Sequence, residues 1–286
     1  MNTIAFKLVL AVAAVITSVS AVAETLKVGP KGQFDCPSAA ARAAKDGDTV
    51  VIAAGTYKGD VCAWRAKNLT IKGAGIDKTV LDPEGKVCMG KGTWVICGAN
   101  TTIEGITFKN AKCPDRNAAG IRHDVNGDLT VRSCSFVGNE NGILNGAFAD
   151  ATIKIEKCRF HKNGHGNGYS HNLYIGAVKK LVFKDCVSDH ANRGHNLKSR
   201  AHETVILNSV FDDGKDGESS YLVNCPNGGK VTMRNCKLVQ SPTASNGTMV
   251  SIGEEGAYPG TTFVNERNKF TNLRPQGGEK VSLRVD

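Results

Sequence analysis

Side chains suited to proton transfer concentrate in one short stretch of this 286-residue chain. Six of its seven histidines lie between residues 161 and 202, and the same stretch contains Tyr174, Lys198 and Arg200. Histidine, lysine and tyrosine are common general acids and bases in enzymes, and arginine is a fixed positive partner for carboxylates. This crowding is the strongest functional signal in the sequence.

The chemistry that these residue types fit is β-elimination from a uronic-acid polymer. The reaction needs a base for the proton next to the carboxylate, a cation to neutralise the carboxylate, and an acid for the leaving oxygen. Lys198 is the predicted base, because a nearby cation favours the neutral amine of a lysine. Arg200 is predicted to pair with the carboxylate. The acid is predicted among Tyr174, His171 and His195.

The candidate residues belong to a series of similar strings, each apolar in its middle. The strings are GIRHDV (120–125), GILNGA (142–147), HNLYIG (171–176), HNLKSR (195–200), SYLVNC (220–225) and TMVSIG (248–253). Aligning their central residues gives a predicted buried column of Ile121, Ile143, Leu173, Leu197, Leu222 and Val250. Side chains of a strand alternate between faces, so the residues on both sides of this column are predicted to point outward.

Two outward columns follow from that alignment. One contains Arg122, Leu144, Tyr174, Lys198, Val223 and Ser251, and the other contains Gly120, Gly142, Asn172, Asn196, Tyr221 and Met249. Strands that stack on one another make Tyr174 a neighbour of Lys198, with Arg200 about 7 Å along the same strand. The groove so formed is predicted to bind substrate through Asn172, Asn196, Arg122, His165 and Tyr221.

The same residues also have structural interpretations. Stacked asparagine amides can bond from coil to coil, which would make Asn172 and Asn196 an internal ladder. His171 and His195 could instead bond backbone groups at a turn. A solvated charged face is the alternative for the lysine and the arginine, and a loop position is the alternative for His165. The sequence leaves these alternatives open.

A second series of strings predicts the architecture. Eight β-prone strings, including TTIEGITF (101–108), LTVRSCSF (129–136) and IKIEKCRF (153–160), each lead into a turn rich in Asn, Gly or Asp. Equivalent apolar residues from residue 71 to residue 233 recur at spacings of 32, 28, 24, 28, 23 and 27. A variable period in the twenties with short strands is typical of a parallel β-solenoid, whose coils stack about 4.8 Å apart.

The cysteines provide a test of the stacking. Four cysteines occupy the same position in their repeats: Cys134, Cys158, Cys186 and Cys236. Ser209 occupies this position in the one intervening repeat without a cysteine. The four are predicted to form a buried thiol ladder. Disulfides between coils are the alternative. Some of the other six are predicted to pair: Cys36, Cys62, Cys88, Cys97, Cys113 and Cys225. No closely spaced C-x-x-C pair occurs, so no zinc site is expected.

Residues 1–23 have the features of a secretory signal. Lys7 is followed by an apolar run over residues 8–19, and Ala21-Val22-Ala23 supplies small residues for cleavage near Ala23. The protein is therefore predicted to be secreted or periplasmic, with one domain over residues 24–286. No later window approaches about 18 apolar residues, so no membrane-spanning segment is expected.

The charge of the chain indicates its class of partner. The formal net charge is +9, and removal of Lys7 with the signal leaves +8. A basic exported protein favours an anionic partner, here predicted as an anionic polysaccharide. No basic stripe with interleaved aromatic residues occurs, so no nucleic-acid partner is expected. The protein is predicted to be a monomer.

The N-terminal part resembles a known superfamily. An Ala-rich run, Ala39 to Lys45, is predicted to be a short helix that caps the open first coil. With GDTVVIAAGTY (47–57), it resembles the capping segment of secreted right-handed parallel β-helix proteins, the pectate-lyase-like superfamily. The resemblance implies an all-β, single-domain right-handed parallel β-helix with a short N-terminal capping helix. That fold carries lyases, hydrolases, esterases, epimerases and phage tailspikes, so it leaves the function open.

A narrower resemblance covers NLKSRAHETVILNSVF (196–211), which is similar to the Lys-Ser coil of the chondroitinase B and alginate lyase family. The resemblance implies that Lys198 is the base, that an arginine follows one coil later, and that calcium clamps the carboxylate. SYLVNCPNG (220–228) lacks that arginine, so Arg200 would have to replace it. Loose candidates for calcium ligands are Asn172, Asn196 and Glu218, and no metal ligand is assigned.

Three further functions are alternatives to a lyase. A C5-epimerase shares the proton abstraction but returns the proton to the opposite face. Polygalacturonase-type hydrolysis needs paired carboxylates, and Gly164-His165-Gly166 and Asp212-Asp213 resemble its motifs in reverse order. A non-catalytic carbohydrate-binding or envelope-associated β-helix protein would use the same groove without chemistry.

Overall fold

The chain winds into a coil of short parallel strands. The computed structural model describes residues 22–285, so the predicted signal segment lies almost entirely outside the described residues. From residue 49 onward, each turn of the coil contributes one strand to each of three sheets, here called sheets 1, 2 and 3 in the order in which the chain visits them; Thr25–Val28 adds one earlier strand to sheet 1. Every strand pairs in parallel with its equivalents one coil before and after. The fold is a parallel β-helix, as predicted.

The three sheets contain ten, nine and nine strands. Sheet 1 consists of Thr25–Val28, Thr49–Ile52, Thr70–Lys72, Thr101–Glu104, Leu129–Arg132, Thr152–Glu156, Lys180–Lys184, Glu203–Leu207, Lys230–Arg234 and Thr262–Glu266. Sheet 2 consists of Gly55–Lys58, Thr79–Asp82, Thr107–Lys109, Ser135–Val137, Arg159–His161, Val187–Asp189, Val210–Asp212, Lys237–Gln240 and Lys269–Asn272. Sheet 3 consists of Cys62–Trp64, Gly92–Ile96, Ala119–His123, Asn141–Asn145, Leu173–Ile175, Leu197–Ser199, Val223–Cys225, Val250–Ile252 and Val281–Leu283.

A bend separates sheet 1 from sheet 2 inside each string that the sequence suggested as one strand. The residue at the bend has a left-handed backbone, for example Ser133 at φ 47°, Lys157 at φ 54° and Asn208 at φ 50°. This conformation is uncommon outside turns, and asparagine tolerates it better than most residues. Asp185, Asn208 and Asn235 hold this position in three consecutive coils. One predicted string therefore supplies strands to two sheets.

One short helix, Pro37–Ala43, contacts the first strands of sheets 1 and 3. It begins two residues before the predicted start, because proline is favoured at the first position of a helix, where no backbone N–H is needed. Its Ala40 is fully buried, so the helix covers the apolar end of the coil as predicted. No helix in the described part of the chain is long and apolar enough to cross a membrane.

The interior consists of like residues stacked on like. Phe108, Phe136 and Phe160 lie in consecutive coils with ring centroids 5.2 and 4.8 Å apart and nearly parallel rings. Offset aromatic stacking adds about 0.5–1.5 kcal/mol per pair beyond the burial of the rings. The aromatic column thus helps to hold the coils in a single register.

The predicted thiol ladder is present beside this column. Its four cysteines are at most 3% exposed, and the Cys158 amide donates to the Cys186 sulfur while the Cys186 amide donates to Ser209. All ten cysteines lie within the described residues and carry free thiols, so the pairing expected among the other six is not observed.

Asn172 and Asn196 do not face the groove, and the prediction that they point outward is wrong. Both are fully buried in a ladder of side-chain amides that runs through consecutive coils. Asn139 donates to Asn163, Asn163 to Asn172, Asn172 to Asn196, and Asn196 to Asp213, over distances of 2.7–2.9 Å. Both asparagines precede their strands at a bend, so the alternation of strand side chains does not extend to them.

The sheet 3 alignment also needs one correction. Leu197 pairs with Val223, and not with Leu222 as predicted, so Asn224 is the neighbour of Lys198 in the next coil. Leu222 and Val223 are both buried, which makes the apolar pattern ambiguous by one residue. A slip of one residue exchanges the two faces of a strand.

The amide ladder generates a stability prediction. Asn163→Ala removes a side chain that accepts from Asn139 and donates to Asn172, leaving buried polar groups without partners. Each such group costs about 1–3 kcal/mol, so we expect the free energy of unfolding to fall by roughly 3 kcal/mol. Urea denaturation followed by circular dichroism measures the change. Asn126→Ala is the control, since its amide donates to Asp150 at the exposed surface. Equal effects of the two substitutions would contradict the ladder's role.

Candidate active site

The outer face of sheet 3 forms a groove with a volume of about 600 Å³. Tyr174 and Lys198 are paired residues of adjacent strands, and Arg200 lies two residues beyond Lys198. All three line the groove, together with Arg122 and His171. The side chains that the sequence placed on neighbouring coils thus meet at one concave surface.

Arg200 connects the groups at the centre of the groove. Its Nε donates to the Tyr174 hydroxyl at 3.0 Å, its Nη1 to Asn227 at 2.6 Å and its Nη2 to Glu255 at 2.6 Å. These contacts use three of the five N–H donors of a guanidinium. The three contacts fix the Arg200 side chain and thereby orient its two remaining N–H donors. Because the Tyr174 oxygen accepts from Arg200, its own proton is available to another acceptor.

Lys198 is largely buried beside this network. Its side chain is only 13% exposed, and its Nζ lies 3.4 Å from Glu255 Oε1. Glu255 therefore contacts both cations of the strand, with one oxygen toward each. Burial raises the pKa of Glu255, but the hydrogen bond from Arg200 and the charges of Lys198 and Arg200 outweigh it and keep the pKa below its ordinary value.

Sequence reasoning missed Glu255 and Tyr258. Both lie in the loop after the strand Val250–Ile252, and Tyr258 donates to the Arg200 carbonyl at 3.1 Å. The loop sequence EEGAYPG (254–260) departs from the repeat and carries two acids, which was the available signal. Glu255 contacts Arg200, which lies 55 residues earlier in the chain, because the loop folds back over sheet 3.

Arg122 supplies a third positive charge to the groove. It lies on the same outward column, separated from Tyr174 by Leu144. Its Nε is buried and has no hydrogen-bond partner among the described residues. A charged guanidinium that lines a groove without a carboxylate partner favours an anionic ligand there.

His171 and His195 stack on each other with ring centroids 4.6 Å apart, but only His171 lines the groove. The His195 backbone amide donates to His171 Nδ1 at 3.0 Å, so this nitrogen carries no proton. Burial, followed by the charges of His195, Lys198 and Arg200, holds the pKa of His171 well below its usual range. Burial and the Lys198 charge lower the pKa of His195 to about 3. Both rings are therefore neutral at pH 7 and support the turns of sheet 3.

Two other predicted substrate-binding residues lie outside the groove lining. His165 is on a loop, with its Nδ1 3.7 Å from Glu140 Oε1. Tyr221 packs against the His195 ring, with centroids 5.1 Å apart. Neither contributes to the surface formed by Lys198, Arg200 and Tyr174. Arg122 is the predicted binding residue that does contribute.

The residues suggested for calcium do not form one site. The Asn172 oxygen accepts from Asn163, and the Asn196 oxygen accepts from Asn172, so both are occupied by the buried ladder. Glu218 lies 3.6 Å from Arg193 at the surface. These three residues do not fit a common cation.

Comparison with known proteins shows the fold class and leaves the family open. No family model and no curated protein matches the chain. Among solved structures, a pectin methylesterase from Aspergillus niger superposes with a TM-score of 0.62 at 15% identity, covering 93% of both chains. Pectin methylesterase PemA from Erwinia chrysanthemi gives 0.57 at 12% identity, covering 91% of this chain and 92% of that one.

An alginate lyase of family PL6, AlyGC, is also similar in structure. Its TM-score is 0.50 at 15% identity, and the match covers 93% of this chain and 39% of the lyase. At such identities the likeness shows the fold alone. It establishes a right-handed parallel β-helix, in agreement with the prediction from the N-terminal segment.

The buried histidines generate a prediction about acid stability. The pKa of His123 is lowered to about 4 and that of His195 to about 3, in both cases mainly by burial, and His171 is lowered as well. Below the unfolded pKa of about 6.5, the unfolded chain binds protons that the folded chain does not. Stability is therefore full above that pH and falls as the pH decreases toward the folded pKa values.

We expect the slope to approach about 1.4 kcal/mol per pH unit for each histidine below about pH 6. Urea titrations between about pH 7.5 and about pH 5.5 measure it. His123→Gln should flatten the slope by about one third, because one of the three groups no longer titrates. An unfolding free energy that stays constant over this range would contradict the assignment.

Proposed function

We propose that the protein is a polysaccharide lyase that cleaves a uronate-containing polymer by β-elimination. The observation that carries the proposal is the convergence of Tyr174, Lys198 and Arg200 in one groove. Lys198 is the proposed base, Tyr174 the proposed acid, and Arg200 orients both Tyr174 and the substrate carboxylate. The predicted export signal of residues 1–23 agrees with a substrate outside the cytosol.

The charge of the groove supports an acidic polymer. The ionised side chains of its lining are all basic: Arg122, Lys198 and Arg200. Glu255 balances two of them from the adjacent loop, and Arg122 has an unpaired Nε. A free carboxylate gains from such a surface, whereas a methyl-esterified uronate is neutral and gains little. This favours elimination from a free uronate over ester hydrolysis, although the structural neighbours include pectin methylesterases.

The reaction needs three groups in one place. The Lys198 amine, after giving up its own proton to solvent, takes the proton from the carbon next to the carboxylate, and that electron pair forms a double bond to the neighbouring carbon. The glycosidic oxygen leaves from that neighbour and takes the phenolic proton of Tyr174. Two N–H donors of Arg200 that are outside its three contacts stabilise the charge that builds on the carboxylate.

Two alternatives differ from the lyase by their products. A C5-epimerase would use Lys198 for the same proton removal and release an intact chain of altered configuration. A carbohydrate-binding protein would release no product. Hydrolysis through Asp212 and Asp213 has no support, because Asp213 is buried against Asn196 and Asp212 pairs with Lys237 outside the groove.

The base assignment predicts the outcome of one substitution. Lys198→Ala should lower kcat/KM by about 10³-fold, a typical contribution of general base catalysis, with the fold unchanged by circular dichroism. The assay follows the absorbance of unsaturated products from alginate, chondroitin and pectate. Lys154→Ala, an exposed lysine on sheet 1, is the matched control and should retain full activity. Unimpaired activity of Lys198→Ala, or no product from any substrate, would contradict the proposal.

Arg122 is expected to bind a more distant part of the same polymer. Three coil spacings separate it from Lys198, or about 14 Å, so it contacts a different sugar from the one that reacts. Arg122→Ala should raise KM by about tenfold and change kcat by less than about threefold. Arg132→Ala is the control, because that arginine pairs with Glu156 on sheet 1. A fall in kcat with unchanged KM would contradict this role.

A further inference from the structure

A second cluster of ionisable side chains lies outside the groove, where the chain leaves sheet 2. His161 and Asp189 are the last residues of two adjacent strands and are paired in register. His190 follows Asp189 directly. Nδ1 of His161 contacts Asp189 Oδ1, and Nδ1 of His190 lies 3.0 Å from the same oxygen. None of these residues lines the groove of sheet 3.

The three donor atoms converge. His161, Asp189 and His190 each offer one donor atom, and these atoms lie within 4.8 Å of one another. Ligands at 2.0–2.2 Å from a tetrahedral ion are roughly 3.3 Å apart, which is close to the 3.0 Å between His190 Nδ1 and Asp189 Oδ1. Small adjustments of the two rings would therefore place all three donors around one ion.

The surroundings favour metal ligation by His190. Its other nitrogen, Nε2, lies 3.3 Å from Asp216 Oδ1 in the next coil. Histidines that bind metals usually donate this second N–H to a carboxylate, which fixes the ring and leaves the first nitrogen free to ligate. Two cations lie nearby, Lys162 and the Arg193 that pairs with Glu218, but the three carboxylates of Asp189, Asp216 and Glu218 outnumber them.

The side chains are accessible without being fully solvated. His161 is 26% exposed, His190 21% and Asp189 11%. Of the three, His190 lines a cavity of about 240 Å³, together with Lys162, Asn192 and Gly217. An ion could enter from this cavity and keep water as its fourth ligand.

We propose that His161, Asp189 and His190 bind a divalent late transition-metal ion such as Zn²⁺, with Asp216 orienting His190. Two imidazoles and one carboxylate form a three-ligand set that suits Zn²⁺ and leaves one open position. The ligands come from two consecutive coils and the orienting carboxylate from a third. The ion joins coils that are otherwise connected by strand pairing, and it stabilises the folded chain by mass action.

Zinc titration of the tag-free chain against a chromophoric chelator tests the proposal. We expect one Zn²⁺ per chain at this site, a higher Tm with saturating Zn²⁺, and d–d absorption bands when Co²⁺ replaces it. His161→Gln and His190→Gln should each weaken binding by at least about 100-fold, and Asp216→Asn by about 10–100-fold. His165→Gln, a histidine beside Glu140 without a second imidazole, should leave the affinity unchanged within about twofold.

Two results would overturn the site. One is the absence of stoichiometric binding by the folded protein. The other is binding that persists in both His161→Gln and His190→Gln, which would place the ion on other ligands, such as the free thiols. Asp189→Asn adds a test only if its circular dichroism matches the parent, because Asp189 also contacts both rings. Lyase activity plays no part in the measurement, so failure of either proposal leaves the other intact.

Discussion

Fixed register between consecutive coils is the constraint on which the rest of this structure depends. Parallel strands place each residue about 4.8 Å from its equivalent in the next coil, so a buried position must accept the same kind of side chain several times. Phe108, Phe136 and Phe160 meet this condition by stacking, and the buried cysteines meet it by being small and apolar. Polar groups meet it only by bonding to each other, as Asn172 and Asn196 do.

The same register produces the groove. Tyr174 and Lys198 are 24 residues apart in sequence and adjacent in space, because they occupy one column of sheet 3. Their surroundings are asymmetric. The neutral His171 and His195 rings support the turns before the strands, and the loop that carries Glu255 balances the positive charge of Lys198 and Arg200. Lys198 and Arg200 are stable side by side because both contact Glu255.

Much of this could be predicted from repeated strings, since alternation and spacing report directly on strands. The prediction placed Tyr174, Lys198 and Arg200 on one face, and the structure has them there. It was wrong for Asn172 and Asn196, because their strands begin one residue later, at Leu173 and Leu197, and side chains alternate between faces only within a strand. It also misaligned Val223 by one residue, because two neighbouring apolar residues gave no unique choice of the buried one.

By itself the sequence determined the periodic part of the molecule: the parallel coil, the thiol ladder and the column that joins Tyr174 to Lys198. The alternation of side chains along a strand and the stacking of like residues in consecutive coils both produce a repeated pattern in the sequence, so the sequence is enough to predict them. Only the tertiary structure decided the contacts made by irregular segments, such as Glu255 with Arg200 and Asp216 with His190. Those contacts depend on the path of loops between strands, which no period in the sequence encodes.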